Sequence, residues 1–483
     1  MTAERRRTTS KVPSKPRAEE LTLTIERIDD DGMGLANHAG KPVVVFDALP
    51  GEKVVARVVH TGRHRILAST LRVLQASRDR IAKTSCPHYR ACQSCALLSW
   101  KYTAQLECKS KRVADALAAY PSLLEVPLGE VWAAPETLGY RASAKLVVAR
   151  KRGKAQVGMY RRGSHDVVDI ADCPLHHPLI NRVAAVVREE LDRRNISAYD
   201  VNHRRGLLRY LLIRVSPTYD KAMVTFVTSE RNYSEVTHLA KWLQRKVPEV
   251  ISVHQNVNAS SGNVIIGRET LKVLGTPDLI DQVGDVRLRL GPTSFLQVHH
   301  VQAARIYRLV RDWCNLRAGE SALDLYCGVG GISLHLAPKA HQVLGIETVA
   351  EAVRHAQANA KMNGFTNCKF VAGDVEALLE EDLPLSGTLG AVVVNPPRSG
   401  CAPQVLTAIA EMQPRTLVYV SCHPGSLAHD LALLVDKGFH VDQVQPVDMF
   451  PQTPHIENVA RLTFTGSHKP AGLSEASNKA KKP

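Results

Sequence analysis

The sequence reads Asp324-Leu325-Tyr326-Cys327-Gly328-Val329-Gly330-Gly331 between an apolar run and a helical pattern. A strand, a glycine-rich turn and a helix in this order are typical of the first unit of a nucleotide-binding sheet, because glycines let the backbone approach a ligand closely. Here the spacing is Gly-x-Gly-Gly, with the acid inside the strand, whereas dinucleotide sites carry G-x-G-x-x-G. The stretch therefore favours S-adenosylmethionine over NAD as the cofactor.

The region around this turn, residues 291–465, alternates apolar runs with helical patterns, which predicts a parallel α/β sheet. Glu347 ends the second strand, where its carboxylate can accept hydrogen bonds from two ribose hydroxyls. Asp374 follows the third strand, within reach of an adenine edge. The predicted strands are 322–326, 342–346, 368–371, 391–394, 416–420, 440–447 and 459–464, and the predicted helices are 302–314, 349–362, 402–412 and 425–436.

A cysteine follows one of these strands in the sequence Tyr419-Val420-Ser421-Cys422-His423-Pro424. Sheets of this class place their ligands at the carboxyl ends of strands, and the field of the following helix would lower a thiol pKa. The alternative is a core cysteine, since Cys is among the most buried residue types. Farther along, Glu457 supplies a carboxylate that is a candidate base. Cys422 is thus a candidate nucleophile.

The sequence Asn395-Pro396-Pro397-Arg398 ends the fourth predicted strand, at the position that faces the methyl donor in such sheets. An Asn-Pro-Pro-Tyr variant would indicate methylation of an adenine amino group, with the aromatic ring stacked on the base. An arginine suits a phosphate or a carboxylate instead.

The amino-terminal part has a different pattern. Residues 21–75 alternate short β-like runs with glycine turns, which predicts an OB-like barrel of five strands, a fold often used to bind oligonucleotides. A barrel that only packs against its neighbour is the alternative. Residues 76–290 read as a mixed α+β domain, in which 206–214 is a predicted strand carrying basic residues.

Four cysteines of the central region form a candidate metal set. Cys86, Cys92 and Cys95 have the spacing C-x5-C-x2-C, and Cys173 follows in the same basic region. Zinc more often binds two C-x2–4-C pairs, and the missing second pair favours an iron–sulfur cluster, with zinc and free thiols left open. The other cysteines are interpreted as core, loop or surface thiols: Cys108, Cys314, Cys327, Cys368 and Cys401.

Charge and hydropathy limit the partners. The formal net charge is +15, and residues 1–20 and 466–483 are predicted to be disordered basic tails that suit a polyanion, or that only keep the chain soluble. No apolar run reaches the roughly 18 residues that a membrane span requires, so we expect a cytoplasmic protein without a disulfide framework.

Five motifs in order resemble those of the RNA uracil-5-methyltransferases. They are Ser294-Phe295-Leu296-Gln297-Val298, the Asp324 turn, Asn395–Gly400, Tyr419–Cys422 and Asp448–Glu457. The amino-terminal barrel resembles the TRAM domain of many members. The resemblance covers nearly the whole chain and is nearest to bacterial members that act on 23S ribosomal RNA and carry both a TRAM barrel and an iron–sulfur cluster.

The resemblance implies a reaction that suits the residues. C5 of uracil is a poor nucleophile, and a thiolate that adds to C6 converts the ring into an enolate whose C5 can take a methyl group. Cys422 would be this nucleophile, Glu457 the general base that removes the C5 proton, and Gln297 the donor to the uracil O4. The uridine would be flipped out of its stack.

The resemblance also implies ligand sets and a partner. A [4Fe–4S] cluster would be held by the cysteines at 86, 92, 95 and 173, and 23S ribosomal RNA would bind to a monomer. The residues implied for S-adenosylmethionine are Gln297, Asp324, Tyr326, Gly328, Gly331, Glu347, Asp374 and Asn395.

Three positions depart from the family pattern. Asn395 stands where many members have Asp, and His299 and His423 stand where Asn is usual. Four other functions stay open: formation of 5-methyluridine in the T-loop of tRNA, amino-group methylation of an RNA purine, a radical S-adenosylmethionine enzyme, and an RNA-binding protein with an inactive methyltransferase fold. The purine reaction would leave the cysteine and the glutamate idle, and the radical enzymes need a C-x3-C-x2-C set.

Overall fold

The computed structural model describes residues 19–92, 94–262 and 264–466, so the predicted basic tails lie almost entirely outside the described residues. The chain forms two compact units. Among the described residues, one unit comprises residues 19–83 together with Ala96–Lys101, and the other comprises the described parts of 84–95 and 102–466. The predicted domain boundaries after residues 75 and 290 stay predictions. In the described ranges, no helix is long and apolar enough to cross a membrane.

The first unit carries a sheet of six strands within residues 19–83, in the order β1-β5-β6-β4-β3-β2. Strands β4 and β6 run parallel, and the other neighbours are antiparallel. Alternate residues such as Leu21, Val43 and Val54 form its core. Five strands were predicted here, and the run 21–28 is in fact two strands. The strands are β1 Glu20–Thr24, β2 Arg27–Ile28, β3 Gly34–His38, β4 Lys41–Phe46, β5 Lys53–Thr61 and β6 Ile66–Gln75.

The first helix of the second unit is α1, and a mixed sheet of seven strands follows it in the described part of residues 143–275. The order is β13-β12-β11-β10-β7-β8-β9, and helices α2 and α3 pack against one face. The elements are α1 Tyr102–Ala118, β7 Ser143–Lys151, β8 Lys154–Tyr160, β9 Val167–Asp169, α2 Pro178–Arg193, β10 Leu208–Ser216, β11 Lys221–Thr228, α3 Tyr233–Lys246, β12 Val250–Val257 and β13 Glu269–Gly275. A hairpin that was not predicted follows, β14 Leu279–Val283 and β15 Val286–Leu290.

Residues 300–464, all of which the structure describes, form the predicted α/β sheet. Its order is β18-β17-β16-β19-β20-β22-β21, and β22 runs antiparallel to both of its neighbours. The predicted elements are found with small shifts of their ends, and the short helix α7 was missed. The elements are α4 His300–Cys314, β16 Glu320–Leu325, α5 Gly331–Leu336, β17 Val343–Glu347, α6 Ala350–Met362, β18 Cys368–Ala372, α7 Val375–Leu379, β19 Thr388–Val394, α8 Pro403–Met412, β20 Thr416–Ser421, α9 Pro424–Asp436, β21 Phe439–Val447 and β22 Glu457–Phe464.

Apolar residues on both faces of this sheet explain its helix layers. Successive residues such as Ala322 and Leu323 point to opposite faces, and each face is fully buried. Helices α4, α5 and α6 pack on one face. Helices α8 and α9 pack on the other face together with α1, whose Val113 and Leu117 join that core. A helix from the start of the second unit thus completes a sheet at its end.

A buried ion pair ties α1 to the loop that precedes β22. The Lys109 ammonium donates to Asp448 Oδ1 at 2.6 Å and to the Phe450 carbonyl at 3.0 Å, and both charged side chains are 0% exposed. The Tyr102 hydroxyl donates to the other oxygen of Asp448 at 2.8 Å. The carboxylate is therefore paired and hydrogen-bonded, as a buried charge must be.

Replacing Lys109 by Met is expected to lower the free energy of unfolding by about 3 to 5 kcal/mol, because Asp448 is then buried without its cation. Urea unfolding followed by tryptophan fluorescence measures the loss. The matched control on the same helix is Lys111→Met, which removes an exposed pair with Asp115 and is expected to cost less than about 1 kcal/mol. Equal losses in the two variants would contradict a dominant role for the buried pair.

Candidate active site

The predicted cofactor residues gather at one edge of the α/β sheet. Asp374 follows β18, Glu347 ends β17, Tyr326 follows β16 and Asn395 follows β19, and these four strands are neighbours. Cys422 follows β20, the next strand in the sheet. Carboxyl ends of parallel strands form the ligand crevice of such sheets. The residues that were predicted to form the site therefore lie together at the carboxyl edge of the sheet.

The antiparallel strand β22 brings Glu457 to the same edge. Ser421, the last residue of β20, pairs with Asn458 of β22, and the Asn458 amide donates to the Ser421 carbonyl at 3.4 Å. Cys422 lies one residue after this pair and Glu457 one residue before it. The register therefore makes the thiol and the carboxylate neighbours across two strands.

Glu457 is shielded from solvent by the protein. Its side chain is almost fully buried, and burial raises the pKa of the carboxyl to about 7, against a lowering by a hydrogen bond from Gln297 and by the charge of Arg398. The Gln297 amide donates to Oε1 at 3.4 Å, and Oε2 is buried without a hydrogen-bond partner among the described residues. This carboxyl can exchange a proton near neutral pH.

Burial and the charge of Glu457 raise the pKa of the half-buried Cys422 thiol, while the charge of Arg398 and its hydrogen bond lower it. Desolvation is the largest of these effects, so the net shift of the Cys422 pKa is upward, opposite to the lowering that a helix field can give. His423 caps α9 by accepting from the Ser426 amide at 3.1 Å. Sequence reasoning assigned Arg398 to a phosphate or a carboxylate and missed its contact with the thiol.

The glycine-rich turn has the backbone that its sequence predicts. Gly328 and Gly330 have φ values of 57° and 84°, and Tyr326 adopts the left-handed region at 63°. Gly331 faces Tyr307, and an added Cβ would lie 3.0 Å from the phenol oxygen. The turn thus needs glycine both for its conformation and for its packing.

Two carboxylates line the base of this turn. Asp324 is fully buried, which raises its pKa to about 7, and Ser333 donates to Oδ2 at 2.5 Å. Its Oδ1 is buried and finds no partner in the described part of the chain. Glu347 accepts from the amides of Gly328 at 3.1 Å and Val349 at 2.8 Å. A buried acceptor left open beside a glycine turn suits a ligand that brings a donor, as the ammonium of S-adenosylmethionine does.

The other predicted site residues have local structural contacts. Asp374 caps α7, with Oδ1 accepting from the amides of Glu376 and Ala377 at 3.0 and 3.3 Å. The backbone N–H of Asn395 donates to the Leu325 carbonyl at 3.3 Å. His299 is buried, stacks on a tyrosine ring and contacts a backbone carbonyl through Nε2, so it anchors the loop that carries Gln297.

The four cysteines of the central region line one cavity of about 660 Å³, and charge interactions connect Cys95 with Cys86, Cys92 and Cys173. Burial raises the pKa of the Cys95 thiol. Within residues 19–92, 94–262 and 264–466, no group of three or more His, Cys, Asp or Glu side chains could hold a metal ion. The four thiols lie close together, and the [4Fe–4S] cluster that was predicted for them stays a prediction.

Glu457→Gln is expected to raise the free energy of unfolding, and the gain is expected to be larger at about pH 8.5 than at about pH 5. The difference between the two gains is about 2 to 3 kcal/mol. The folded carboxyl has a pKa of about 7 against an ordinary value of 4.5. Its contribution to stability is present below pH 4.5 and lost as the pH rises through 7, and the amide removes this loss. Urea unfolding at both pH values measures it, with Glu381→Gln as an exposed control. A pH-independent difference would contradict the buried, neutral carboxyl.

Comparison with known proteins identifies the family. The family described as tRNA (uracil-5-)-methyltransferase matches residues 101–463, and the TRAM domain matches residues 16–65. An uncharacterized RNA methyltransferase of Geobacter sulfurreducens is 44% identical over 450 residues, covering 93% of this chain and 91% of the relative. A relative with the same description from Gloeobacter violaceus is 37% identical over 445 residues, covering 92% and 96%.

The solved structure of Pyrococcus abyssi tRNA (uracil-54, C5)-methyltransferase with S-adenosyl-L-homocysteine is similar to this chain, with a TM-score of 0.74 and 26% identity over 92% of this chain and 99% of that one. Family and fold therefore agree. The chain belongs to the tRNA (uracil-5-)-methyltransferase family, carries an amino-terminal TRAM domain and is an S-adenosylmethionine-dependent RNA methyltransferase.

Proposed function

We propose that this enzyme forms 5-methyluridine at one position of 23S ribosomal RNA, acting as a monomer through a covalent bond between Cys422 and C6 of the uracil. The observation that carries the proposal is the register that sets Cys422 beside the buried Glu457 at the carboxyl edge of the sheet. A nucleophile, a base and a cofactor turn at one edge are the parts that this reaction needs.

The first step is the attack of Cys422 on C6. Its thiol is half buried beside Glu457, and both effects disfavour the thiolate. Arg398 opposes them by its charge and its hydrogen bond, so it stabilises the thiolate that attacks. As the S–C6 bond forms, the electron pair of the C5–C6 double bond forms a C4–C5 double bond, and the electron pair of the C4=O bond moves to O4. Gln297 donates a hydrogen bond to this enolate oxygen.

Methylation and release complete the cycle. Bound S-adenosylmethionine supplies an electrophilic methyl group, and Asp324, Tyr326, Gly328, Gly331, Glu347 and Asp374 would hold it. Asn395 lies at the end of β19 between this turn and Cys422, and accepts from uracil N3–H in the proposed complex. Glu457 removes the C5 proton after transfer, and the electrons of the C5–H bond restore the C5–C6 double bond as the cysteine leaves. A base with a pKa of about 7 is suited to this step near neutral pH.

The choice of ribosomal RNA rests on the resemblance, in which a TRAM domain and four cysteines accompany activity on 23S RNA. A second candidate is tRNA, because the similar Pyrococcus abyssi enzyme is a tRNA (uracil-54, C5)-methyltransferase. Amino-group methylation has no support from the site, since Arg398 stands at the position where an aromatic residue would stack on the purine.

Incubation with 5-fluorouridine-substituted RNA and S-adenosylmethionine is expected to trap an RNA–protein adduct, because fluorine at C5 is not removed as a proton. Denaturing gels and mass spectrometry of parallel reactions with 23S RNA and tRNA measure it, and the attached nucleotide identifies the uridine.

Cys422→Ala is expected to abolish the adduct, whereas the matched control Cys108→Ala keeps it. Glu457→Gln still forms an adduct with ordinary uridine and releases it slowly, since its amide takes no proton. An adduct that survives in Cys422→Ala would contradict the nucleophile. Methyl transfer to purines without an adduct would contradict the reaction, and an adduct with tRNA alone would move the substrate from ribosomal RNA to tRNA.

We also propose that Cys86, Cys92, Cys95 and Cys173 hold a [4Fe–4S] cluster. The four thiols border one cavity, and a cubane holds its ligands farther apart than a single ion does, so the lack of a single-ion site in the described residues does not weigh against it. The cluster would join the segment 86–95 to the segment around Cys173. Its role would be structural or in RNA contact, since the reaction has no redox step.

Anaerobic reconstitution is expected to bind about four irons per chain, with broad visible absorption. Cys95→Ser is expected to lose most of the iron and to unfold at a lower temperature, whereas Cys108→Ser, which changes a thiol outside the cavity, keeps both. Iron analysis, absorbance and thermal unfolding measure this. Binding of one zinc ion or of no metal would contradict the cluster.

A further inference from the structure

The cavity that the four cysteines border extends well beyond them. Four cationic side chains line it, namely Arg141, Lys145, Arg214 and Arg398. Among the described residues that line the cavity, none is Asp or Glu. The whole cavity measures about 660 Å³, and the proposed cluster would occupy only its cysteine end. The composition of the remaining part suits an anion.

The floor of the cavity is the face of the central sheet that does not carry helices. Lys145 pairs with Leu212, which pairs with Thr225, and these three side chains form one row across β7, β10 and β11. The next row, toward one end of the strands, contains Ser143, Arg214 and Met223. Cationic, hydroxyl and apolar groups thus alternate on a flat surface, which is how proteins contact a phosphate together with a sugar or a base.

Arg214 is the most informative residue of this floor. Its Nη2 donates to the Ser294 carbonyl, while Nη1 is buried and has no hydrogen-bond partner in the described ranges. Burial lowers the pKa of the guanidinium to about 10, and no acidic group of the described residues opposes this. A guanidinium with a buried, unpaired Nη1 and no counterion is costly, and an anionic ligand that accepts from Nη1 would reduce that cost.

The cysteines do not account for this cation. Arg141 faces them, and its charge lowers the pKa of Cys95. No thiol acts on Arg214 in the same way among the described residues. Arg141 thus interacts with the thiols at one end of the cavity, and Arg214 is available to bind a different anion.

The cavity shares two elements with the active site. The segment Pro292–Leu296 lines it, and the next residue, Gln297, contacts Glu457. Arg398 also lines it and hydrogen-bonds Cys422. A chain that places one base beside Cys422 can therefore place the neighbouring nucleotide in the cavity.

We propose that this cavity binds the RNA nucleotide that adjoins the methylated uridine, with its phosphate between Arg214 and Lys145. The inference rests on the proposed function, because it takes a uridine beside Cys422 as its reference point. Thr225 and Ser143 donate to the phosphate or the sugar, and Leu212 and Met223 contact the apolar face of the nucleotide.

A scan of phosphates tests the proposal on the full-length protein. Short RNAs that contain the target uridine carry one neutral methylphosphonate at each linkage within two nucleotides of it. At one linkage next to the uridine, wild-type affinity is expected to fall about fivefold to tenfold, since a charge-assisted contact is lost. Lys145→Ala is expected to bind unmodified RNA more weakly than wild type by a similar factor. Its affinity is then expected not to fall further when that linkage is made neutral.

The dependence on salt gives a second measurement. Removing one phosphate contact with single-stranded RNA makes the slope of log affinity against log salt shallower by about 0.7. Lys145 is exposed, so its variant is expected to fold. The matched control is Lys241→Ala, an exposed lysine of α3 on the helix-covered side of the same sheet, which is expected to keep both the slope and the sensitivity of wild type.

The possible outcomes separate the two proposals. If the neutral linkage costs wild type and Lys145→Ala the same factor at every position, the cavity does not bind this phosphate and the inference is overturned. Loss of sensitivity in Lys241→Ala as well would also overturn it. A wild-type protein that binds these RNAs but never methylates C5 of the uridine would contradict the proposed function, while the phosphate scan would still locate the contact.

Discussion

The position of Glu457 in the candidate active site depends on the buried ion pair between Lys109 and Asp448. This ion pair fixes the loop that leads into β22, and the first residue of that strand is Glu457. Gln105 adds a reciprocal pair of hydrogen bonds to Gln452 in the same loop, at 2.8 and 3.0 Å. These contacts join an early helix to a late loop, so the position of Glu457 depends on a packing arrangement rather than on local sequence.

Burial shifts the pKa values of the groups in the candidate site and lowers the stability of the fold. Desolvation raises the pKa of Asp324, of Glu457 and of the Cys422 thiol, and none of the three has a full ion-pair partner in the described chain. A carboxyl with a pKa of about 7 is a poor contributor to folding at neutral pH and a suitable acceptor of a proton. Arg398 moderates this, because its charge favours the ionised forms of both Glu457 and Cys422.

The α/β half was largely predictable from the sequence because its signals are local. Apolar runs ended near Leu325, Val394 and Ser421, where strands end, and the glycine turn has the backbone that its spacing requires. The combination of Cys422 with Glu457 followed from ordered motifs. Contacts between distant residues carried no such signal: Lys109, Arg214 and the thiol contact of Arg398 each depend on partners far along the chain. The burial that raises the pKa of Cys422 likewise depends on residues far along the chain.

Helix α1 also has a consequence for biosynthesis. Lys109 and Asp448 are 339 positions apart, and α1 covers a face of a sheet whose strands begin at Glu320. The helix leaves the ribosome long before its docking surface has been synthesised. Its apolar face is therefore exposed to solvent during this time, or it makes transient contacts with other groups. Non-local pairing of this kind slows folding. An excised carboxyl-terminal half would likewise expose the surface that Val113 and Leu117 cover, so the methyltransferase sheet is expected to need α1 for its stability.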